Sequence, residues 1–429
     1  MPWRPVSYTS IRTAQKKLLQ SIKVKPSFES VPVQESYGRV LHDNIVSNLN
    51  IPSKKSSHMD GFAVLYDDVR QTNHSNPITL KVVGEVRLGK SSDEHLHHGI
   101  AIRIPTGGNL PSRADTIIPI EFTKFDPLKK IVKILTSFPK GSFISNVGED
   151  IKKNTTLLKK GNILRSQDLS LPLMMGFKKL RVFKKPRVAI IPTGSELTND
   201  SDQVKHGKIL NTNGQIISML VEAVGAKSLA LDITPDSIKQ IQSKIKFALH
   251  QSDIIITIGG SSVGDHDIIG ESINSLGMPG VIAHGVKLDR GRVSGVAVLE
   301  NKPIIILPGP IQGAVNGFIV FVQPIIRSLL GLPPFDRTIM SAEFIEEWQA
   351  RKKFKDLVKI VYVRLLLSTT GNLMALPITG ETANITVLTR SNGYVLVPES
   401  IMRINKGKIV RINLLPGLSL SSGNPVDFI

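Results

Sequence analysis

The chain predicts a multidomain α/β and β protein: a doubly wound parallel-sheet domain, an all-β module, a split helical linker domain and a C-terminal β barrel. Three observations predict it. Residues 186–331 alternate continuous apolar runs such as PRVAIIPTG, SDIIITIGG and PIIILPG with amphipathic stretches such as NGQIISMLVEAVGA and SIKQIQSKIKFALHQ. Continuous apolar strands joined by amphipathic helices mean a parallel sheet covered on both faces. Residues 50–142 and 337–429 carry short β-like runs separated by Gly, Pro and Asn turns, the pattern of all-β modules. Finally, SIRTAQKKLLQSI at 10–22 sets apolar residues at helical spacing behind a Ser or Thr cap.

In chain order, residues 1–48 and 143–183 form the split helical domain, because SQDLSLPLMMGFKKL returns to helical character after the β insertion. The insertion itself, 49–142, holds GFAVL, ITLKVVGEV, IAIRIPT and TIIPIEF as strands. The α/β domain spans 184–332, and the C-terminal barrel, 333–429, uses KIVYVRLLL, LMALPI, GYVLVP and KIVRINLL. No repeat of 20–50 residues interrupts this order.

Composition narrows the chemistry. With no cysteine among 429 residues, disulfides, thiolate nucleophiles and cysteine metal sites are excluded, so any metal must use oxygen or imidazole ligands. The N-terminal segment has charges throughout and no apolar h-region, and no run reaches the roughly 18 apolar residues of a membrane span. A cytoplasmic protein without a membrane partner is expected. Lys and Arg number 54 against 35 Asp and Glu, a net charge of +19 that favours anionic partners. The basic runs at 128–135, 157–165 and 177–187 sit among β-like apolar residues without interleaved aromatics, which reads as solvated faces rather than a nucleic-acid surface.

In an open parallel α/β sheet, ligands bind beyond the carboxyl ends of the strands. Three such ends carry candidate residues: Thr193, Gly194 and Glu196 in PTGSEL; Gly259, Gly260, Ser261, Ser262, Gly264, Asp265 and Asp267 in GGSSVGDHD; and Pro308 and Gly309 in LPGP. Glycines admit close backbone approach to phosphate, and the serines add donors without bulk. Asp265 and Asp267 beside a phosphate site call for a cation, and Mg2+ suits a few carboxylates plus substrate oxygens. The alternative for one of the two is a helix N-cap, and Glu196 has the alternative of a first-turn acid on a helix dipole.

Together with SSHMDGFAV, RIPTGGNLPSRADTIIPIE, NVGEDI, NTNG and HGVKLDRGRV, these segments resemble, in order and over nearly the whole chain, the motifs of the molybdopterin molybdenumtransferases, the MoeA and gephyrin E-domain family. The resemblance implies a MogA-like α/β domain and a homodimer whose cleft lies between the α/β domain of one subunit and the β module of the other. It implies Mg2+-dependent insertion of molybdate or tungstate into adenylylated molybdopterin with release of AMP, with the adenylyltransferase that supplies that substrate as a possible partner. Carried over by position, Asp60, Thr106, Asp150, Glu196, Asp236 and Asp267 fall on acidic or hydroxyl positions near the catalytic cleft, with Asp267 at the metal. Asp60 reads alternatively as a tight-turn residue, Asp236 as a helix cap. Thr193, Gly194, Asn213, Gly259, Gly260, Ser261, Ser262, Gly264, Asp265, Arg290, Arg292, Pro308 and Thr382 fall on cofactor-binding positions.

The chain also departs from the family. Asp289, Arg290, Gly291, Arg292 and Val293 stand where the family has K-P-G-K-P; Pro310 and Ile311 interrupt L-P-G-N-P; Glu381, Thr382 and Ala383 align with G-S-G. An acid at 289 opposes a dianionic oxyanion unless Asp289 pairs with Arg290 or Lys287 or faces solvent, while Arg290 and Arg292 offer planar donors. The alternatives to the enzyme are therefore a molybdopterin-binding paralogue or scaffold that has lost metal insertion, and an α/β domain that itself adenylylates molybdopterin.

Overall fold

The computed structural model describes residues 8–22, 25–89, 95–261, 267–334, 339–368 and 370–415. The chain divides into two compact units, one of residues 1–31, 36–42 and 180–429 and the other of 32–35 and 43–179.

The first unit holds a six-stranded sheet in the order Lys227–Ala230, Arg187–Pro192, Ile254–Ile258, Lys302–Leu307, Gly295–Leu299 and Gly280–His284. The first four strands run parallel, as the apolar runs predict. The last two pair antiparallel, and each is a five-residue run, GVIAH or GVAVL, with the charged segment 285–294 between them. Glu300 and Asn301, at φ +49° and +61°, close a two-residue hairpin between Gly295–Leu299 and Lys302–Leu307, where both turn residues need positive φ.

Both faces of the sheet are covered, for the reason that strand side chains alternate. Val188 and Ile190 point to a cluster with Ile217 and Val221 of helix Thr212–Ala223 and with residues 311–330. Ala189 and Ile191 join Ile241 and Ile245 of helix Ile238–Gln251 and Ile269 and Ile273 of helix Ile268–Asn274. Each fully buried aliphatic side chain of this kind stabilises by about 1.5–3 kcal/mol. Helix Ile11–Ser21 forms where its pattern predicts, with the hydroxyl of Ser10 accepting from Thr13 N at 3.1 Å. Its buried Ala14 and Leu18 belong to the first of these two clusters.

Five strands, Ile339–Phe344, Leu373–Pro377, Lys359–Leu367, Gly393–Val397 and Ile409–Leu414, close the C-terminal barrel around Phe344, Val363, Leu365, Ala375 and Ile412.

The second unit is built on a mixed six-stranded sheet in the order Thr116–Pro119, Gly61–Val64, Ile100–Ile104, Ile78–Glu85, Ile131–Ile134 and Thr123–Asp126. Phe62 and Val64 enter one core cluster, Ala63 and Leu65 another, so this sheet too is packed on both faces. The helical character expected near 166–180 is reduced to a 3-10 turn, Gln167–Leu169, and one helical turn, Ser170–Met174. Gly176 at φ +76° ends it, the usual left-handed helix stop. No helix among the described residues is long and apolar enough to cross a membrane.

Candidate active site

The carboxyl ends of three neighbouring parallel strands meet at one pocket of about 550 Å³ in the first unit. Arg187–Pro192 delivers Thr193 and Glu196, Ile254–Ile258 delivers Gly259, and Lys302–Leu307 delivers Gly309 and Pro310. Asn213, in the first turn of helix Thr212–Ala223, contributes from the side and donates to the carbonyl of Gly309. Its neighbour Asn211 caps that helix, accepting from Gly214 N at 3.2 Å.

Backbone bonds fix the strand ends. Thr193 N donates to Ile258 O at 2.8 Å, Gly194 N to Thr234 O at 3.1 Å, and Gly259 N to Leu307 O at 3.1 Å. The hydroxyls of Thr193 and Ser261 are buried without a hydrogen-bond partner among the described residues, which leaves two donors near the strand ends for a ligand. Gly260 lies beside Thr193 at φ +64°. Ser262, Gly264 and Asp265 lie outside the described residues.

Asp267 occupies the N-cap position of helix Ile268–Asn274 but makes no side-chain cap bond. Its Oδ2 is 2.6 Å from His284 Nδ1, while Oδ1 is buried and has no hydrogen-bond partner among the described residues. A buried carboxylate oxygen with no donor is a fit for a cation. No group of three potential metal-ligating side chains gathers among the described residues.

Asp236 is drawn into structural bonding. Its Oδ2 accepts from Ser195 N and its own amide donates to Ser195 Oγ, both at 3.1 Å. The carboxylate thus ties the loop bearing Glu196 to the start of the next connection, and it does not cap helix Ile238–Gln251.

The altered segments lie where the α/β sheet meets the barrel. Arg290 donates to Gly380 O, and the guanidinium of Arg292 sits 5.7 Å from the ring centroid of Phe354. Fully buried Gln312 donates to the carbonyls of Glu381 and Asn384, and its amide to Thr382 O at 3.3 Å. Ala383 and Ile385 of this strap line the pocket, whereas Gly194, Asp236, Gly260, Ser261, Asp267, Arg290, Arg292, Pro308 and Thr382 are not among its lining residues. Asp289 is half-buried, and no single ion pair among the described residues takes up its charge. Burial pushes its carboxyl above the usual carboxylate range, opposed by the charges of Arg290, Arg292 and Lys359 and by a hydrogen bond from the Arg290 amide. Lys359 is itself buried and donates to Glu399 O and Ile401 O at 3.0 and 3.1 Å.

In the second unit, Asp60 and Thr106 are brought together. Asp60 Oδ1 accepts from Thr106 N at 2.6 Å and Thr106 Oγ1 at 2.9 Å, and these bonds hold its carboxyl below its usual value, helped by the charge of Arg103. The two motifs also share backbone bonds, Gly107 N to Ser57 O at 2.8 Å and Ser57 N to Gly108 O at 3.0 Å. Asp60 is therefore more than a turn residue. Asp150 is exposed in its own loop, its amide donating to Ile51 O at 3.1 Å.

Sequence reasoning missed His284, Gln312, Lys359 and the apolar wall formed by Ile216, Ile311 and Ile385. His284 opens the segment HGVKLDRGRV, which was the signal for it; a buried Gln or Lys leaves none.

Three family models match in chain order. They are the MoeA N-terminal region (domain I and II) at residues 9–176, a probable molybdopterin binding domain at 189–328, and the MoeA C-terminal region (domain IV) at 346–415. A molybdopterin molybdenumtransferase of Staphylococcus epidermidis is 29% identical over 406 residues, covering 94% of this chain and 95% of its own length. The protein of the same name from Bacillus subtilis is 29% identical over 390 residues, 90% of each chain. The crystal structure of the molybdopterin biosynthesis moeA protein from Pyrococcus horikoshii OT3 superposes with a TM-score of 0.79 at 28% identity, covering 95% of this chain and all of that one. With strand-end pocket, sheet order, barrel and matches all agreeing from residue 9 to residue 415, the chain belongs to the MoeA family of molybdopterin molybdenumtransferases.

Proposed function

We propose that the chain binds adenylylated molybdopterin, joins molybdate or tungstate to its two dithiolene sulfurs and releases AMP, using Mg2+ and working as a homodimer. The observation that carries this reading is the 550 Å³ pocket at the carboxyl ends of the parallel strands, large enough for a nucleotide-sized ligand and mostly apolar, with Thr193, Glu196 and Asn213 among its few polar groups. In the overall reaction, the sulfurs replace two oxygens of the oxyanion, which leave as two waters with two protons from the dithiol and two from solvent, and one water is consumed in hydrolysing the phosphoanhydride, which releases AMP and leaves molybdopterin its phosphate.

The chain's own groups bind and orient. The hydroxyls of Thr193 and Ser261, buried and unpartnered, are the donors offered to phosphate oxygens, and Ile216, Ile311 and Ile385 offer the apolar wall to a flat ring system. Asp267 Oδ1 would hold Mg2+. When bound, the cation neutralises charge developing on the departing phosphate. Since positioning and electrostatics supply the acceleration, no covalent nucleophile is required.

Purified protein given adenylylated molybdopterin, Mg2+ and molybdate should release AMP and yield cofactor that activates a molybdenum-free apo-enzyme. Asp267→Ala should lower that rate by roughly two orders of magnitude with an unchanged circular dichroism spectrum. A rate equal to wild type at saturating Mg2+ would remove Asp267 from the mechanism. The engagement of Arg290 by Gly380 and the half-buried Asp289 favour one second reading, a paralogue that binds molybdopterin without inserting metal. Tight molybdopterin binding with no oxyanion-dependent AMP release would decide for it.

A further inference from the structure

His284 ends the edge strand Gly280–His284 and pairs with Gly295. Its side chain is 14% exposed, and Nδ1 meets Asp267 Oδ2 at 2.6 Å, with the aspartate side chain 18% exposed. The other ring nitrogen, Nε2, lies 3.1 Å from Val293 O. A carbonyl oxygen only accepts, so Nε2 is placed to donate to Val293 O, while Nδ1 faces Asp267 Oδ2. Bonds at both nitrogens leave the ring one orientation. Gly295 makes room for it, since a Cβ there would stand 3.0 Å from His284 Cδ2.

The effect on Asp267 is unusual for its position. An aspartate at a helix N-cap ordinarily turns its carboxylate onto the free amides of the first turn, yet Asp267 makes no such bond. His284 holds Oδ2 instead, and Gly270 packs behind it with no room for a Cβ. Oδ1 is left buried and unpartnered. The carboxylate is thereby divided into one oxygen that is fixed and one that is kept for an incoming ligand.

We propose that His284 is the positioning residue for Asp267: it withholds the carboxylate from the helix cap and presents Oδ1 to the divalent cation. The proposal rests on the Mg2+ reading above. Loss of an outer partner of this kind, which orients a ligating group, typically costs about 10- to 100-fold in metal affinity or activity.

The test uses full-length protein with AMP present and Mn2+ as the probe, its binding followed by electron paramagnetic resonance, beside the Mg2+ dependence of AMP release. His284→Ala should weaken Mn2+ binding about 10- to 100-fold and raise the Mg2+ concentration for half-maximal rate by a similar factor, with kcat recovering at saturating Mg2+. His284→Asn, whose amide nitrogen can replace Nδ1 but cannot reach Val293, should restore most of the affinity. If both variants bind Mn2+ as wild type does, or if both are weakened equally, His284 does not position the carboxylate. Should Asp267→Ala bind Mn2+ like wild type, or wild type bind none, the Mg2+ reading itself fails and this proposal with it.

Discussion

At Gly259 the backbone takes φ +85°, and an added Cβ would fall on the carbonyl oxygen of Thr193, whose amide is bonded to Ile258. No flexible side chain can move aside there. Gly259→Ala should therefore cost about 1–3 kcal/mol of stability, from the left-handed conformation and the backbone clash together, and weaken molybdopterin binding. A urea midpoint equal to wild type would show that the loop relaxes. Asp289 presents the opposite case, a charge whose burial dominates. Because its folded pKa is raised above the ordinary 3.8, its favourable contribution is complete below that value and lost as pH rises through the folded pKa. Asp289→Asn should accordingly melt at a higher temperature than wild type at pH 7, with the gap shrinking as pH falls toward 4. A gap that widens on acidification would mean that its arginine and lysine neighbours outweigh burial.

Among elements, the strap 380–385 is held to helix Ile311–Gly317 by Gln312, which is completely buried and reaches two carbonyls. Those carbonyls would lose a donor in Gln312→Leu, at a cost of about 1–3 kcal/mol for each group left buried and unbonded. Since Ala383 and Ile385 line the pocket, the same variant should raise KM for adenylylated molybdopterin more than it lowers kcat. Equal KM with lower thermal stability would make Gln312 a fold residue only. A second tie in the same junction is the phenol of Tyr362, buried in the barrel strand, which donates to Asn316 Oδ1 at 2.6 Å while Asn316 donates to the carbonyls of Asp289 and Arg290. Burial of that phenol drives its pKa upward, so it stays a donor at any working pH. The residues that replace the family's K-P-G-K-P motif are thus bonded into the sheet–barrel junction.

For the whole molecule, the net charge of +19 favours a polyanionic substrate through long-range attraction that salt screens. In the homodimer proposed above, Asp60 and Asp267 would meet in one cleft from different chains. Mixed dimers of Asp60→Asn and Asp267→Ala chains, each inactive alone, should then recover up to about half of the wild-type rate per active dimer, one intact site of two. Complete lack of recovery, with heterodimers demonstrated by tagged pull-down, would rule out that arrangement.

The sequence by itself determined the order of elements, because periodicity and turn residues are local signals. Ile254–Ile258 and Lys359–Leu367 were legible as apolar runs, Ile11–Ser21 by its Ser10 cap, and the candidate loops by Gly259, Gly260 and Asp267. Family motifs added Asp60 and Thr106, which the structure joins. The antiparallel edge at Gly280–Leu299 was not legible, since GVIAH and GVAVL are short apolar runs whose pairing direction is set by how the segment between them folds. Only the tertiary structure decided how individual side chains are spent. His284 lies 17 residues from Asp267 in sequence yet bonds to it, Asp236 serves Ser195, Arg290 serves Gly380, and Asp289 meets burial as well as cations. Such pairings depend on which distant backbones approach within a few ångströms, and neither residue type nor spacing along the chain encodes that approach.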